Sequence, residues 1–148
     1  ASVAELERLL SSVMADLRQG SDGHAAAELD AVVSAFSLVG VRVDVAGELP
    51  RRREVAAAFV RVAREACTNS CRHAHAKQVF VKLECPEGPL ARLTVTDDGT
   101  SRPAPVREGT GIPGMRREIE SVGGALTVKW DHPFTVMAEV DVRGKADD

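Results

Sequence analysis

Apolar residues between Ala4 and Leu17 recur at helical spacing: Leu6, Leu9, Leu10, Val13, Met14 and Leu17 form one stripe, backed by Glu5, Glu7, Arg8 and Asp16. The breaker cluster "QGSDGH" (Gln19 to His24) follows and reads as a linker. A second helix is predicted from Ala25 to Leu38, stopped by Gly40. "VRVDV" (Val41 to Val45) then alternates in the manner of a strand and is closed by "AGELP". A long helix is expected from Arg51 to His75, then strands "QVFVKLEC" and "LARLTVTD" separated by "PEGP". A Gly/Pro-rich passage from Asp98 to Pro113 leads into a short helix, "GMRREIESV", ended by Gly123 and Gly124. "ALTVKW" and "FTVMAEVDV" form a last hairpin around "DHP". Helices first, then strands with one helix among them, predict an α+β fold: a two-layer sandwich whose mixed, mostly antiparallel sheet is covered by helices on one face. Residues 1–24 are assigned to an N-terminal helix and linker, and residues 25–148 to one folded domain.

Composition narrows the function. The chain has 148 residues, 44% of them hydrophobic, enough for one core. A net charge of −3 with four Phe, one Trp and no Tyr supplies neither a basic stripe nor stacking platforms, so direct nucleic-acid contact is not expected. No apolar run approaches the roughly 20 residues that span a bilayer, so no membrane contact by this chain is expected. Three cysteines, an odd number in a chain of this size, point to a reducing compartment and hence the cytoplasm.

The chemistry concentrates in "REACTNSCRHAHA" (Arg64 to Ala76). On a wheel of about 100° per residue with Glu65 at zero, Asn69 falls about 40° to one side and Arg72 about 20° to the other. Val55, Phe59, Ala63, Ala66, Cys67 and Cys71 occupy a broad arc from about 80° to 240°, which makes both cysteines core-side hydrophobes. A metal reading would join Cys67 and Cys71 to His75, or use His73 with His75. Residues two apart on a helix do not face each other, however, and Cys85 is on another element. The Glu/Asn line suits a cleft holding a hydrated divalent ion and phosphates, with the Asn69 oxygen as protein ligand, Glu65 ordering water or taking a proton, and Arg72 meeting phosphate. On helix geometry alone, a solvated polar edge is the competing reading.

Two further segments bear on that choice. "VTDDGT" (Val95 to Thr100) ends a strand with two carboxylates and a glycine, a combination that is often only a turn. "EGTGIPGM" (Glu108 to Met115) opens a helix with Gly109, Gly111 and Gly114, which could give loop flexibility and a close helix contact. Thr110, Gly111 and Pro113 at a helix start also leave backbone N–H groups open to an anion.

The order Glu-x-x-x-Asn on a helix, strand-Asp-x-Gly, then Gly-x-Gly before a helix resembles the GHKL (Bergerat) ATP-binding fold shared by gyrase and histidine kinases. It is most similar to the catalytic domain of bacterial sensor histidine kinases of the type paired with LuxR/NarL-like response regulators. "REACTNSCRHAHA" matches the asparagine box, "VTDDG" the first glycine box and "GTGIPGMRREIESVGG" the second, over about Glu28 to Val142. The resemblance implies ATP and Mg²⁺ as cofactors, with Asn69 as the metal ligand and Glu65 as the catalytic acidic residue next to the phosphates. It implies that Asp97 accepts from the adenine amino group, and that Gly99 seats the base against the backbone. Gly109, Thr110, Gly111 and Gly114 would serve the lid and phosphates, and Arg72 with His73 would contact phosphate or ribose. Partners implied are the dimerisation (histidine-phosphotransfer) domain of the same kinase and a LuxR/NarL-type response regulator.

Two departures stand out. Ser101 occupies the place of the box's second glycine, and the lid "RPAPVRE" (Arg102 to Glu108) is short. None of the four histidines is followed by an acidic residue, so the phosphoacceptor is expected on a domain outside this chain, without which autophosphorylation is impossible. An anti-sigma-type serine kinase and a degenerate, non-catalytic nucleotide-binding module are the alternative readings.

Overall fold

The computed structural model describes residues 4–5, 8–9, 24–85, 88–100, 111–130 and 133–143. Its elements run α1 (His24–Leu38), β1 (Arg42–Ala46), α2 (Arg53–His73), β2 (Gln78–Glu84), β3 (Leu90–Asp97), α3 (Ile112–Glu120), β4 (Ala125–Lys129) and β5 (Thr135–Asp141). Ala4, Glu5, Arg8 and Leu9 are helical, as the N-terminal stripe predicts; the rest of that stripe and most of the linker lie outside the described residues. His24, read as linker, already belongs to α1.

Five strands form one sheet in the order β1-β2-β3-β5-β4. β1 runs parallel to β2, starting at Arg42 beside Gln78, and the remaining pairs are antiparallel. The expected mixed, mostly antiparallel sheet is what forms. Alternation along β2, β3 and β5 sends Val79, Val81, Leu83, Ala91, Leu93, Val95, Val136, Ala138 and Val140 to one face, where all are buried. Phe80 and Lys82 point the other way and are exposed. The three helices cover the apolar face, and α2 joins the core with Val55, Phe59, Val62, Ala66 and Cys67. Fully burying a side chain such as Phe59 or Phe36 contributes on the order of 2–3 kcal/mol, so the helices are held to the sheet chiefly by this face.

Local signals set the boundaries. Pro50 precedes α2, and Arg52 caps its start in an extended conformation, so the helix begins two residues later than periodicity suggests. It ends at His73, where Ala74 closes the last turn and His75 adopts a positive φ of 53°. α3 begins at Ile112, two residues before the expected Gly114, because Pro113 is compatible with a first turn. Among the described residues no helix is long and apolar enough to cross a membrane.

Candidate functional site

The last turns of α2 carry the asparagine-box residues. Thr68, Asn69 and Ser70 are buried, Asn69 to 2% exposure, while Glu65 is half-buried and Arg72 exposed. A solvated polar edge therefore does not describe Asn69. The wheel cannot see the loop that follows β3, which packs against Ala74 at this end of the helix. There the Thr100 N–H donates to the Ala74 carbonyl at 3.0 Å. Gly99 presses so close that a β-carbon would stand 2.5 Å from both the Cβ and the carbonyl oxygen of Ala74. Glycine is required at position 99 by this backbone approach, whatever else it serves.

Asp97, at the end of β3, is 3% exposed. Its Oδ2 accepts from the Ser70 hydroxyl at 2.5 Å, and its Oδ1 accepts from the Gly99 N–H at 3.0 Å. A buried carboxylate at a strand end needs such donors. Asp98 is exposed and accepts from the Gln78 and Lys77 N–H groups at 3.0 and 2.9 Å. Those backbone donors hold its carboxyl below the usual aspartate range and tie the loop to the start of β2.

The other junction joins α2 to α3. Gly111 caps α3 in the left-handed conformation, φ 77°, which a side chain rarely adopts. A β-carbon there would lie 3.4 Å from Cδ and Oε2 of Glu65, so the Glu65 carboxyl sits against the N-terminal end of α3. Among the described residues no side chain caps that helix start. Burial pushes the Glu65 carboxyl above the usual glutamate range, with the nearby Arg64 charge acting in the opposite direction. Gly114, one turn in, is roomy: a β-carbon would meet only the Arg117 guanidinium at 3.7 Å, so no close helix contact explains it.

Glu65 and Gly111 thus meet beside the C-terminal half of α2, while Asp97 bonds to Ser70 and Gly99 packs against Ala74 at its end. His73 is half-buried in the final turn. Gly109, Thr110, Ser101 and the lid segment 102–108 lie outside the described residues. Cys67 is fully buried, and its thiol is pushed up to about 12 by burial and by the charges of Asp97 and Cys71; Cys71 is half-buried and Cys85 exposed. Among the described residues no group of three His, Cys, Asp or Glu could hold a metal ion. A cavity of about 630 Å³ lies elsewhere, between the start of α1, the end of β1 and the first turns of α2, with Leu29, Val45, Leu49 and Ala57 in its wall. None of the described candidates lines it.

Ser70 and Ala74 were not among the sequence candidates. The signal for Ser70 was available: at about 140° on the wheel it falls inside the apolar arc, and a hydroxyl there needs a partner. Ala74 offered no comparable sign, since its role depends on a loop more than twenty residues away in the chain.

The architecture is that of solved kinase structures. The fold is that of histidine-kinase ATP-binding domains. The Erythrobacter litoralis EL346 blue-light activated histidine kinase superposes over 97% of this chain with a TM-score of 0.65 and 23% identity. This chain spans only 49% of that protein. Full-length ShkA in complex with AMPPNP covers 76% of this chain with a TM-score of 0.60 and 16% identity, and this chain covers 29% of it. The ATP binding domain of PrrB from Mycobacterium tuberculosis covers 78% of this chain, TM-score 0.56 and 14% identity, and is itself 90% covered. No family model and no curated protein matches the sequence.

Proposed function

We propose that this chain is the ATP-binding catalytic domain of a two-component sensor histidine kinase, transferring the γ-phosphoryl group of ATP to a histidine on a dimerisation domain. The observation that carries the reading is the placement of Glu65 against the N-terminal end of α3, within the asparagine-box helix and in a fold shared with histidine kinases. A helix start accepts phosphate, and a carboxyl with a raised proton affinity beside it suits proton handling during phosphoryl transfer. In such transfers positioning and charge neutralisation do most of the work.

In this reading Asn69 offers its side-chain oxygen to Mg²⁺, which when bound neutralises phosphate charge. Glu65 holds or moves the proton, and Arg72 with His73 meets phosphate or ribose. Gly109, Thr110, Gly111 and Gly114 belong to the phosphate loop. Asp97 reads the adenine amino group. A site in the cytoplasm rests on the three cysteines, and a LuxR/NarL-type response regulator as downstream partner on the sequence boxes.

Titration calorimetry with ADP and ATP, with and without Mg²⁺, tests the proposal. Saturable binding strengthened by Mg²⁺, with the Mg²⁺-dependent part lost in Asn69→Ala, is expected. Binding of neither nucleotide would refute it.

A further inference from the structure

We propose that the cavity of about 630 Å³ beside the first turns of α2 binds a small apolar monocarboxylate, whose carboxylate takes Arg61 from Glu118 and so loosens the contact between α2 and α3. The effect of that loosening on nucleotide rests on the nucleotide reading above; the binding site itself does not. Buried Leu29, Ala56 and Leu83 line the cavity together with Val45, Leu49 and Ala57, and its volume suits a small organic molecule. One wall is fixed from behind. Gly47 presses so closely on the Leu83 carbonyl that no side chain would fit, which ties the loop after β1 to the end of β2.

Charge divides the rim. Arg51, Arg53 and Arg61 come from α2 and the residues just before it, Glu28 and Asp30 from α1, and Glu48 from the loop after β1. An anion on the α2 side meets guanidinium groups, which bind a carboxylate through paired N–H donors. The acidic residues oppose every added negative charge, so a monoanion is favoured over a phosphate dianion.

Arg61 joins the cavity to the candidate site. Arg53, Ala57, Arg61 and Glu65 follow at four-residue intervals and lie along one side of α2. Arg61 lines the cavity, and its Nη1 donates to Glu118 Oε2 at 2.6 Å. Glu118 belongs to α3, whose capping Gly111 faces Glu65 one turn further along α2, so the ion pair braces the two helices next to that junction. The brace is exchangeable. Its side chains are 49% and 28% exposed, and ion pairs so placed hold weakly. A ligand whose apolar body is buried in the cavity holds its carboxylate at Arg61 by that burial and displaces Glu118. The start of α3 then loses a tie to α2, and linkage makes the effect reciprocal: nucleotide weakens the carboxylate as much as the carboxylate weakens nucleotide.

The experiment titrates octanoate calorimetrically into the nucleotide-free chain, with octanol and octyltrimethylammonium as neutral and cationic counterparts. Octanoate is expected to bind at one site, at least about fivefold more tightly than either. Leu49→Glu, which puts a negative charge into the wall, abolishes binding, and Arg61→Gln reduces octanoate to the affinity of octanol. Glu118→Gln, which leaves Arg61 to the ligand, raises octanoate affinity by about threefold. Saturating octanoate should lower ADP affinity, with Mg²⁺, by about threefold in the unmutated chain and by less than about 1.5-fold in Glu118→Gln, where the brace is already gone. Octanoate that binds no more tightly than octanol, or that is indifferent to both Leu49→Glu and Arg61→Gln, overturns the site. A preference for octyltrimethylammonium overturns it too, since the acidic residues would then be the ligand's partners. Octanoate binding that leaves ADP affinity unchanged overturns the coupling. Failure of the unmutated chain to bind ADP removes the nucleotide reading and the coupling together, while the octanoate titrations, run without nucleotide, still decide the site.

Discussion

Replacing Gly99 by alanine should cost the protein stability before it costs anything else. The new methyl would start 2.5 Å from the Cβ and carbonyl oxygen of Ala74 and 3.0 Å from its carbonyl carbon. Ordinary contacts are about 3.5–4 Å, so the loop would have to lift by about 1 Å from the end of α2. Lifting it stretches the 3.0 Å bond from the Thr100 N–H to Ala74 and turns the Gly99 N–H away from Asp97, where it now donates at 3.0 Å. Overpacking costs roughly 1–3 kcal/mol and each weakened hydrogen bond about 1 kcal/mol, so a loss of about 2–4 kcal/mol is expected. For a chain of this length that lowers the thermal midpoint by roughly 4–16 °C. The assay is urea unfolding followed by fluorescence of Trp130, with nucleotide affinity measured on the same samples. Gly114→Ala is the control: its nearest neighbour would be 3.7 Å away, and alanine favours a helix by about 0.5–1 kcal/mol, so it should be neutral or stabilising. If Gly99→Ala changes stability by less than about 0.5 kcal/mol while affinity collapses, the glycine is there for a ligand and the packing argument is wrong.

The thiols should separate by burial: Cys85 is modified first in the native protein, Cys71 more slowly, and Cys67 only after denaturation, followed by mass spectrometry of alkylated peptides. Cys67 also predicts a pH dependence. Its thiol is raised from 9.0 to about 12, so the unfolded chain ionises first and stability falls as pH climbs through that window; unfolding midpoints of Cys67→Ala should lose less over the same range. Glu65 behaves likewise on the acid side: its raised carboxyl favours the fold most below the ordinary value of 4.5, and that contribution is lost as pH rises through the raised value. Glu65→Gln should therefore gain thermal stability relative to the unmutated protein from acid to neutral pH; a midpoint difference that does not change with pH would refute the assignment.

Much of the fold was readable because its signals are local. β2 and β3 emerge within a residue of their expected bounds, since Val79, Val81, Leu83 and Ala91, Leu93, Val95 alternate without interruption. The ends of α2 and α3 were displaced by two residues wherever Pro50 or Pro113 competed with apolar periodicity. The candidate site is legible in the sequence as three boxes but not as an arrangement. The burial of Asn69 and Ser70, the wedge of Gly99 on Ala74 and the seat of Glu65 beside Gly111 all join segments far apart in the chain, and a helical wheel contains no such information.

The sheet order carries a kinetic consequence. β2 and β3, and β4 and β5, are neighbours in the chain and can pair as hairpins in microseconds. β1 cannot: it lies parallel to β2, and the connection between them is α2 itself. Closing that pairing requires the crossover helix to have settled on the sheet, so docking α2 is one of two non-local steps of folding, the other being the pairing of β3 with β5. Glu65, Asn69 and Ser70 all ride on that helix. Assembly of the sheet's parallel edge and assembly of the candidate site are in this way a single event, and a chain caught before it would have its two hairpins and none of the site.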